Sequence, residues 1–160
     1  SLEALLKTVF EGEATPRQRL HIIRDRGVEW SAGKLVDEFL ASSGVPDTAV
    51  DLPAFRDRVH RDFPVAVHLY HLQIEKLVGG NGEMRVDPNN LWDREITLFL
   101  SPVLRAANRA LFNEAPAVLV TDEGEIKTAA VRAGFASYVV GWSEYVDFLE
   151  NGDLTRLPML

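Results

Sequence analysis

The run Ala117-Val118-Leu119-Val120-Thr121-Asp122-Glu123-Gly124-Glu125-Ile126 is the stretch on which the fold reading turns. Four consecutive apolar residues, two of them valine, have the length and composition of a buried strand, and Thr121-Asp122 ends it. Apolar residues then recur at Ile126, Ala129, Ala130 and Ala133, the i, i+3, i+4, i+7 spacing of one helix face, until Gly134 stops the pattern. Ser137 to Val140 reads as another strand, closed by Gly141. Ser143 then caps a helix carrying Trp142, Tyr145, Val146 and Leu149. Upstream, Glu95 to Leu100 reads as a short β-run, and Ser101-Pro102 caps and starts a helix to about Asn113. Strands alternating with helices predict a right-handed, three-stranded parallel βαβαβα unit over 95–150. The stretch 91–100 also admits a second reading, as a helix leading to a break at Pro102.

Working toward the N-terminus, the signals become purely helical. Thr15-Pro16-Arg17-Gln18 places a capping threonine, a proline at the first helical position and a glutamine at the third, the elements of a capping box. Leu20 and Ile23 form its apolar stripe, and Gly27 is expected to stop it. Ser31 begins a second helix to about Ser42, with Leu35, Phe39 and Leu40 inside. Asp51 caps a third, with Pro53 in its first turn. Residues 2–10 are also expected to be helical. Pro64 opens a fourth helix to about Val78, apolar on one face at Val67, Tyr70, Ile74 and Leu77 and on another at Val65, Leu69 and Leu72. A helix apolar on two faces belongs in the middle of a fold. Gly79-Gly80-Asn81-Gly82 and Asp87-Pro88-Asn89-Asn90 read as a loop and a turn. The expected class is thus α/β, one domain over 1–160, with a helical subregion at 1–80 and a parallel β/α subregion at 95–150.

Composition narrows the chemistry. The chain of 160 residues is long enough for one real core. It has no cysteine, which excludes disulfides, thiolate nucleophiles and cysteine-ligated zinc. No apolar run reaches the ~20 residues of a membrane span, and Ser1-Leu2-Glu3-Ala4-Leu5-Leu6 lacks the order of a signal peptide. A cytoplasmic protein with no membrane partner is expected. The net charge is −7, and acids outnumber bases in each of 1–63, 64–100 and 101–160, so bulk charge does not drive nucleic-acid binding. Arg17, Arg19, Arg24 and Arg26 form the one local basic cluster to test, against the reading that nearby acids such as Asp25 and Glu29 make it a solvated face.

In a parallel α/β sheet, ligands sit beyond the carboxyl ends of the strands. Here Thr121-Asp122-Glu123 sets two carboxylates at such an end, beside a helix N-terminus. Carboxylates so placed take Mg²⁺ or Mn²⁺, or simply cap the helix. The run 117–126, with Ala129-Ala130 and Ala133-Gly134 after it, resembles the last third of PIN-like nuclease domains, and Ser143-Glu144-Tyr145-Val146 is similar to the helix that follows there. The resemblance covers about 116–150. It implies a metal-dependent phosphodiesterase acting on RNA or DNA, with Asp122 as the late acidic ligand, Asp93 as the preceding acid, Glu75 as the mid-domain acid and Glu123 as a further metal ligand. That family opens with a hydrophobic strand ending in aspartate, and residues 1–20 hold none. The same stretch is similar to the late part of haloacid-dehalogenase-like phosphatases, whose Asp-x-Asp motif is lacking here.

Two further patterns invite readings of their own. His68, His71 and Glu75 share a helix face, with His60 one helix earlier. Such a set suits zinc or iron, or makes a pH-sensitive polar seam. Gly79-Gly80-Asn81-Gly82 follows a helix and lacks the Lys-Ser/Thr of a phosphate loop. Trp30, Trp92 and Trp142 are expected in the core or at an interface. Two functions therefore stand side by side. One is a PIN-like Mg²⁺- or Mn²⁺-dependent nuclease, or a degenerate relative. The other is a non-catalytic regulatory domain whose N-terminal helices bind a protein partner or DNA.

Overall fold

A computed structural model describes residues 6–7, 9–10, 15–80, 89–111 and 118–152. In chain order these form α1 (Pro16–Ser43), α2 (Leu52–Asp62), α3 (Pro64–Gly79), α4 (Asn89–Thr97), α5 (Pro102–Leu111), β1 (Leu119–Val120), α6 (Gly124–Arg132), β2 (Val139–Val140) and α7 (Trp142–Asn151). The fold is predominantly helical, which corrects the expected α/β class. Among the described residues the sheet is a single parallel pair, Leu119 opposite Val139 and Val120 opposite Val140. The third strand expected at Glu95–Leu100 does not form there. In that stretch the core takes in Arg94, Thr97 and Leu100. Those are three residues apart, a helical interval rather than the alternation of a strand. The helical reading of 91–100 therefore holds, ending before Pro102. Of the loop expected at 79–82 and the turn expected at 87–90, residues 81–82 and 87–88 lie outside the described residues, whereas Gly79 ends α3 and Asn89-Asn90 already begin α4.

The middle of the fold is α3. Ten of its sixteen residues are buried. Tyr70, Ile74 and Val78 face one cluster, completed by Leu6, Phe10 and Ile23. Val65 and Leu69 face a second cluster, with Leu100, Ile126, Ala129 and Ala130. Pro64 pre-sets its first turn. Its four β-branched interior residues, Val65, Val67, Ile74 and Val78, are indifferent helix formers, so burial rather than propensity holds it helical. The small side chains of Ala129 and Ala130 let α6 approach closely. No helix of the described residues is long and apolar enough to cross a membrane.

Local capping follows the sequence. Thr15 and Gln18 exchange the two bonds of a capping box at the start of α1, with Gln18 N donating to Thr15 Oγ1 at 3.3 Å and Thr15 N to Gln18 Oε1 at 2.9 Å. Asp51 accepts from Ala54 N at 3.3 Å to start α2. Ser101 Oγ accepts from Val103 and Leu104 N at the start of α5. Gly27 interrupts the helix as expected: it leaves helical geometry at φ 73°, ψ −177° and divides α1 into two halves that meet at a kink. That conformation is essentially open to glycine alone. Space is not the constraint there, because an added Cβ meets only Glu29 Oε2, at 3.4 Å. Gly27→Ala is therefore expected to destabilise the protein by about 1–3 kcal/mol, measured by urea unfolding. A loss near zero would mean that the two halves of α1 straighten at no cost.

Candidate functional site

The acids singled out from sequence do different things in the fold. Asp122 is exposed beyond the end of β1. Its Oδ1 accepts from the backbone N of Trp142 at 3.2 Å and from Lys127 Nζ at 3.2 Å. The Trp142 amide, and then Lys127, hold its carboxyl below the usual aspartate range. Glu144 Oε2 accepts from Gly141 N at 2.6 Å. The positive end of α7 is thus occupied by two carboxylates of the chain itself. Asp122 caps α7 across the strand pair rather than its own helix, α6. Glu123 is exposed at the N-cap of α6 and makes no side-chain cap there.

Glu75 lies elsewhere, buried on α3. Its Oε1 accepts from Arg24 Nε at 2.8 Å and lies 3.8 Å from His71 Nε2, and its Oε2 lies 3.8 Å from Arg132 Nη1. Asp122 and Glu75 therefore engage different basic residues of α6, one near its first turn and the other in its last. Asp93 sits half-buried on α4. Among the described residues no three His, Cys, Asp or Glu side chains are grouped to hold a metal ion.

Two histidines of α3 face different neighbours: His71 meets α1, while His68 lies near His60 of α2 and Arg132 of α6. Ser31, buried in α1, meets His71 Nδ1 at 2.8 Å, and the other ring nitrogen faces Glu75. Ser31, His71 and Glu75 make a serine–histidine–acid series in which Ser31 has no exposed surface. His68 Nδ1 is buried with no hydrogen-bond partner among the described residues. Burial lowers the pKa of both histidines. For His68 the neighbouring His60, His71 and Arg132 add to the effect. For His71 the Glu75 carboxylate opposes it, while Arg132 and Arg24 reinforce it. Of the arginines near the N-terminus, Arg17, Arg24 and Arg26 are exposed and Arg19 is half-buried. Arg19 donates to Val78 O and Gly80 O at the end of α3, Arg24 pairs with Glu75, and Arg26 lies over Trp30 at 5.3 Å. They serve three different partners.

An apolar groove lies on the other side of α1. Here α1 and α3 supply a floor at Val36 and Ala66. One wall comes from Phe55 and Val59 of α2 with Phe63, and the other from Arg94, Glu95 and Leu98 in and after α4. The groove encloses about 500 Å³, the size of a binding cavity. Phe39, 56% exposed, stands at its rim against Phe55, with ring centroids 6.4 Å apart. The stripe Phe55, Val59, Phe63 runs at i, i+4, i+8, yet α2 buries no residue completely. Asp37 anchors this wall. It accepts from Lys34 Nζ at 2.6 Å and from Arg56 Nη2 at 2.7 Å. Burial alone would raise its pKa, but the hydrogen bonds from Lys34 and Arg56 bring it below the ordinary value.

The opposite wall is held by Arg94. Its Nη1 is 3.3 Å from Glu38 Oε2, its Nε donates to Asn90 O at 3.2 Å, and its guanidinium lies 4.8 Å from the Tyr70 ring centre. The Tyr70 hydroxyl is buried close to Glu38. Burial and the nearby Glu38 charge push its pKa up. Glu95 is exposed on the same wall and has no ion-pair partner among the described residues. Along α4 and just past it, Trp92, Ile96 and Phe99 are exposed at i, i+4, i+7, the two aromatic rings by 67% and 68%. The groove was not singled out in the sequence. The available signal was the surplus of apolar positions: α1 carries Leu35 and Phe39 beside its core positions Val36 and Leu40, more than one buried stripe uses.

Comparison with protein-family models, with curated proteins and with solved structures gives no match. His68 and His71 make a measurable statement. With both pKa values lowered in the fold, the unfolded chain binds more protons below about pH 6.5. Stability should therefore be full above that pH and fall as pH drops toward the folded-state values, by at most about 1.4 kcal/mol per pH unit for each histidine. Thermal melts between pH 7.5 and 5 check this. His68→Leu should flatten the slope, and an unchanged slope would assign the acid sensitivity to other groups.

Proposed function

We propose that this chain is a non-catalytic interaction module, and that the apolar groove between α1, α2 and α4 receives its partner. The observation that carries this reading is the groove itself: about 500 Å³ lined chiefly by side chains of helices, on whose helix α4 and just past it Trp92, Ile96 and Phe99 are also exposed. Aromatic side chains left exposed beside an apolar groove are the composition of binding hot spots. The polar groups on its walls do structural work. Arg94 holds α4 to Tyr70 and Glu38, and Asp37 holds α2 to α1.

A photo-crosslinking residue placed at Phe39 should capture a protein partner in cells that make this chain. The same residue at Val131, exposed on α6 away from the groove, should not. Leu98→Asp should abolish the capture while leaving the melting temperature within a few degrees, because Leu98 is already partly exposed. Equal capture from both positions would remove the reading.

The nuclease alternative draws support from the likeness of 116–150 to the end of a PIN-like domain, and it needs the acids to bind metal. A Mg²⁺ or Mn²⁺ titration followed by thermal shift separates the two readings. The interaction module predicts no metal-dependent rise in melting temperature for the wild type. A rise that Asp122→Ala eliminates would favour the nuclease and justify assays on RNA and DNA.

A further inference from the structure

Resting on the interaction reading, we infer that the groove's occupant is a basic amphipathic α-helix of another protein. The first argument concerns backbone hydrogen bonds. Both walls and the floor of the groove are built from helices, whose amides and carbonyls are already bonded within their own turns. The one sheet of the described residues, β1 with β2, is not part of the groove. An extended peptide laid there would bury unpaired amide and carbonyl groups against apolar side chains, which is costly. A helix brings its own hydrogen bonds and presents apolar side chains at i, i+3, i+4 and i+7 to such a groove.

The second argument is charge. Glu38 and Glu95 border the groove, and Arg94 is the one basic residue lining it. Arg94 is already engaged by Glu38, by the Asn90 carbonyl and by the Tyr70 ring. The carboxylate of Glu95 is left to meet a cation from outside. A lysine or arginine flanking the apolar stripe of the incoming helix would supply it. The chain's net charge of −7 works in the same direction at longer range. It repels a second copy of the chain, and it repels nucleic acid, so a basic partner is favoured over both.

The test is selection from a displayed library of 16-residue peptides with randomised apolar, basic, acidic and neutral positions, using the full chain as bait. The enriched peptides should carry an amphipathic apolar stripe flanked by lysine or arginine, and should become helical on binding by circular dichroism. They should lose binding to Leu98→Asp and bind Glu95→Lys at least tenfold more weakly. Peptides that depend on Leu98 but show no basic preference, or bind Glu95→Lys equally, would overturn the charge inference and leave the interaction reading standing. Enriched peptides that bind in extended form would overturn the helical occupant. Concentration-dependent dimerisation lost in Leu98→Asp would make the occupant a second copy and overturn the inference. No enrichment from the library would overturn the inference and the interaction reading together.

Discussion

Burial of both faces of α3 is the constraint from which the rest of the structure follows. A helix rich in valine and isoleucine has little intrinsic reason to be helical. It is stable because Tyr70, Ile74 and Val78 close one cluster with α1, while Val65 and Leu69 close another with α6. Each neighbour is then placed by what α3 offers. Ala129 and Ala130 bring α6 close on one side, and Arg19 secures the end of α3 to α1 on the other. Two pairs of polar groups drawn into this interior join elements: Ser31 with His71, and Glu75 with Arg24. Such pairs give the α1–α3 contact a definite register, because breaking either would strand a buried polar group.

The groove is a by-product of the same arrangement. α2 and α4 each pack on α3 and leave a gap between them that neither fills. α2 joins α3 through Phe63 alone, since that one residue ends the first helix and precedes the second. This fixes the angle at which Phe55 and Val59 are presented. α4 is pinned by Arg94, whose guanidinium lies over Tyr70, a residue of the central core. The groove walls are therefore anchored to the most buried part of the molecule, and a partner binding there would meet a preformed surface rather than one it must organise.

The strand–Thr-Asp–helix unit shows how one local pattern serves two ends. Its carboxylate stands at the carboxyl end of a parallel strand, where α/β enzymes place their chemistry. Here the same position lets Asp122 satisfy the amide of Trp142 and hold α7 against the strand pair. A negative charge at a helix N-terminus is favourable for capping and for catalysis alike. Only the neighbouring residues separate the two roles, and for Asp122 those neighbours are a backbone amide and Lys127.

Much of the local structure was legible in the sequence. The capping box at Thr15, the caps at Asp51 and Ser101 and the central helix from Pro64 all arise from interactions within a few residues or from short apolar periods; of the strand expected at Ser137 to Val140, only Val139-Val140 pairs, and Ala136–Tyr138 forms a 3-10 turn. The segment 91–100 was not settled, because a short apolar run fits strand and helix alike until its neighbours exist. Arg94 stacking on Tyr70 and Thr97 entering the core decide it for helix. The site was the least legible feature. Carboxylates and histidines announce chemistry by type, whereas Phe39, Phe55, Val59 and Leu98 look like ordinary core residues along the chain. Sequence by itself determined where helices start and which faces are apolar, since those depend on local spacing. Only tertiary structure decided which apolar faces find partners inside the molecule and which line an open groove, because that depends on packing between helices far apart in the chain.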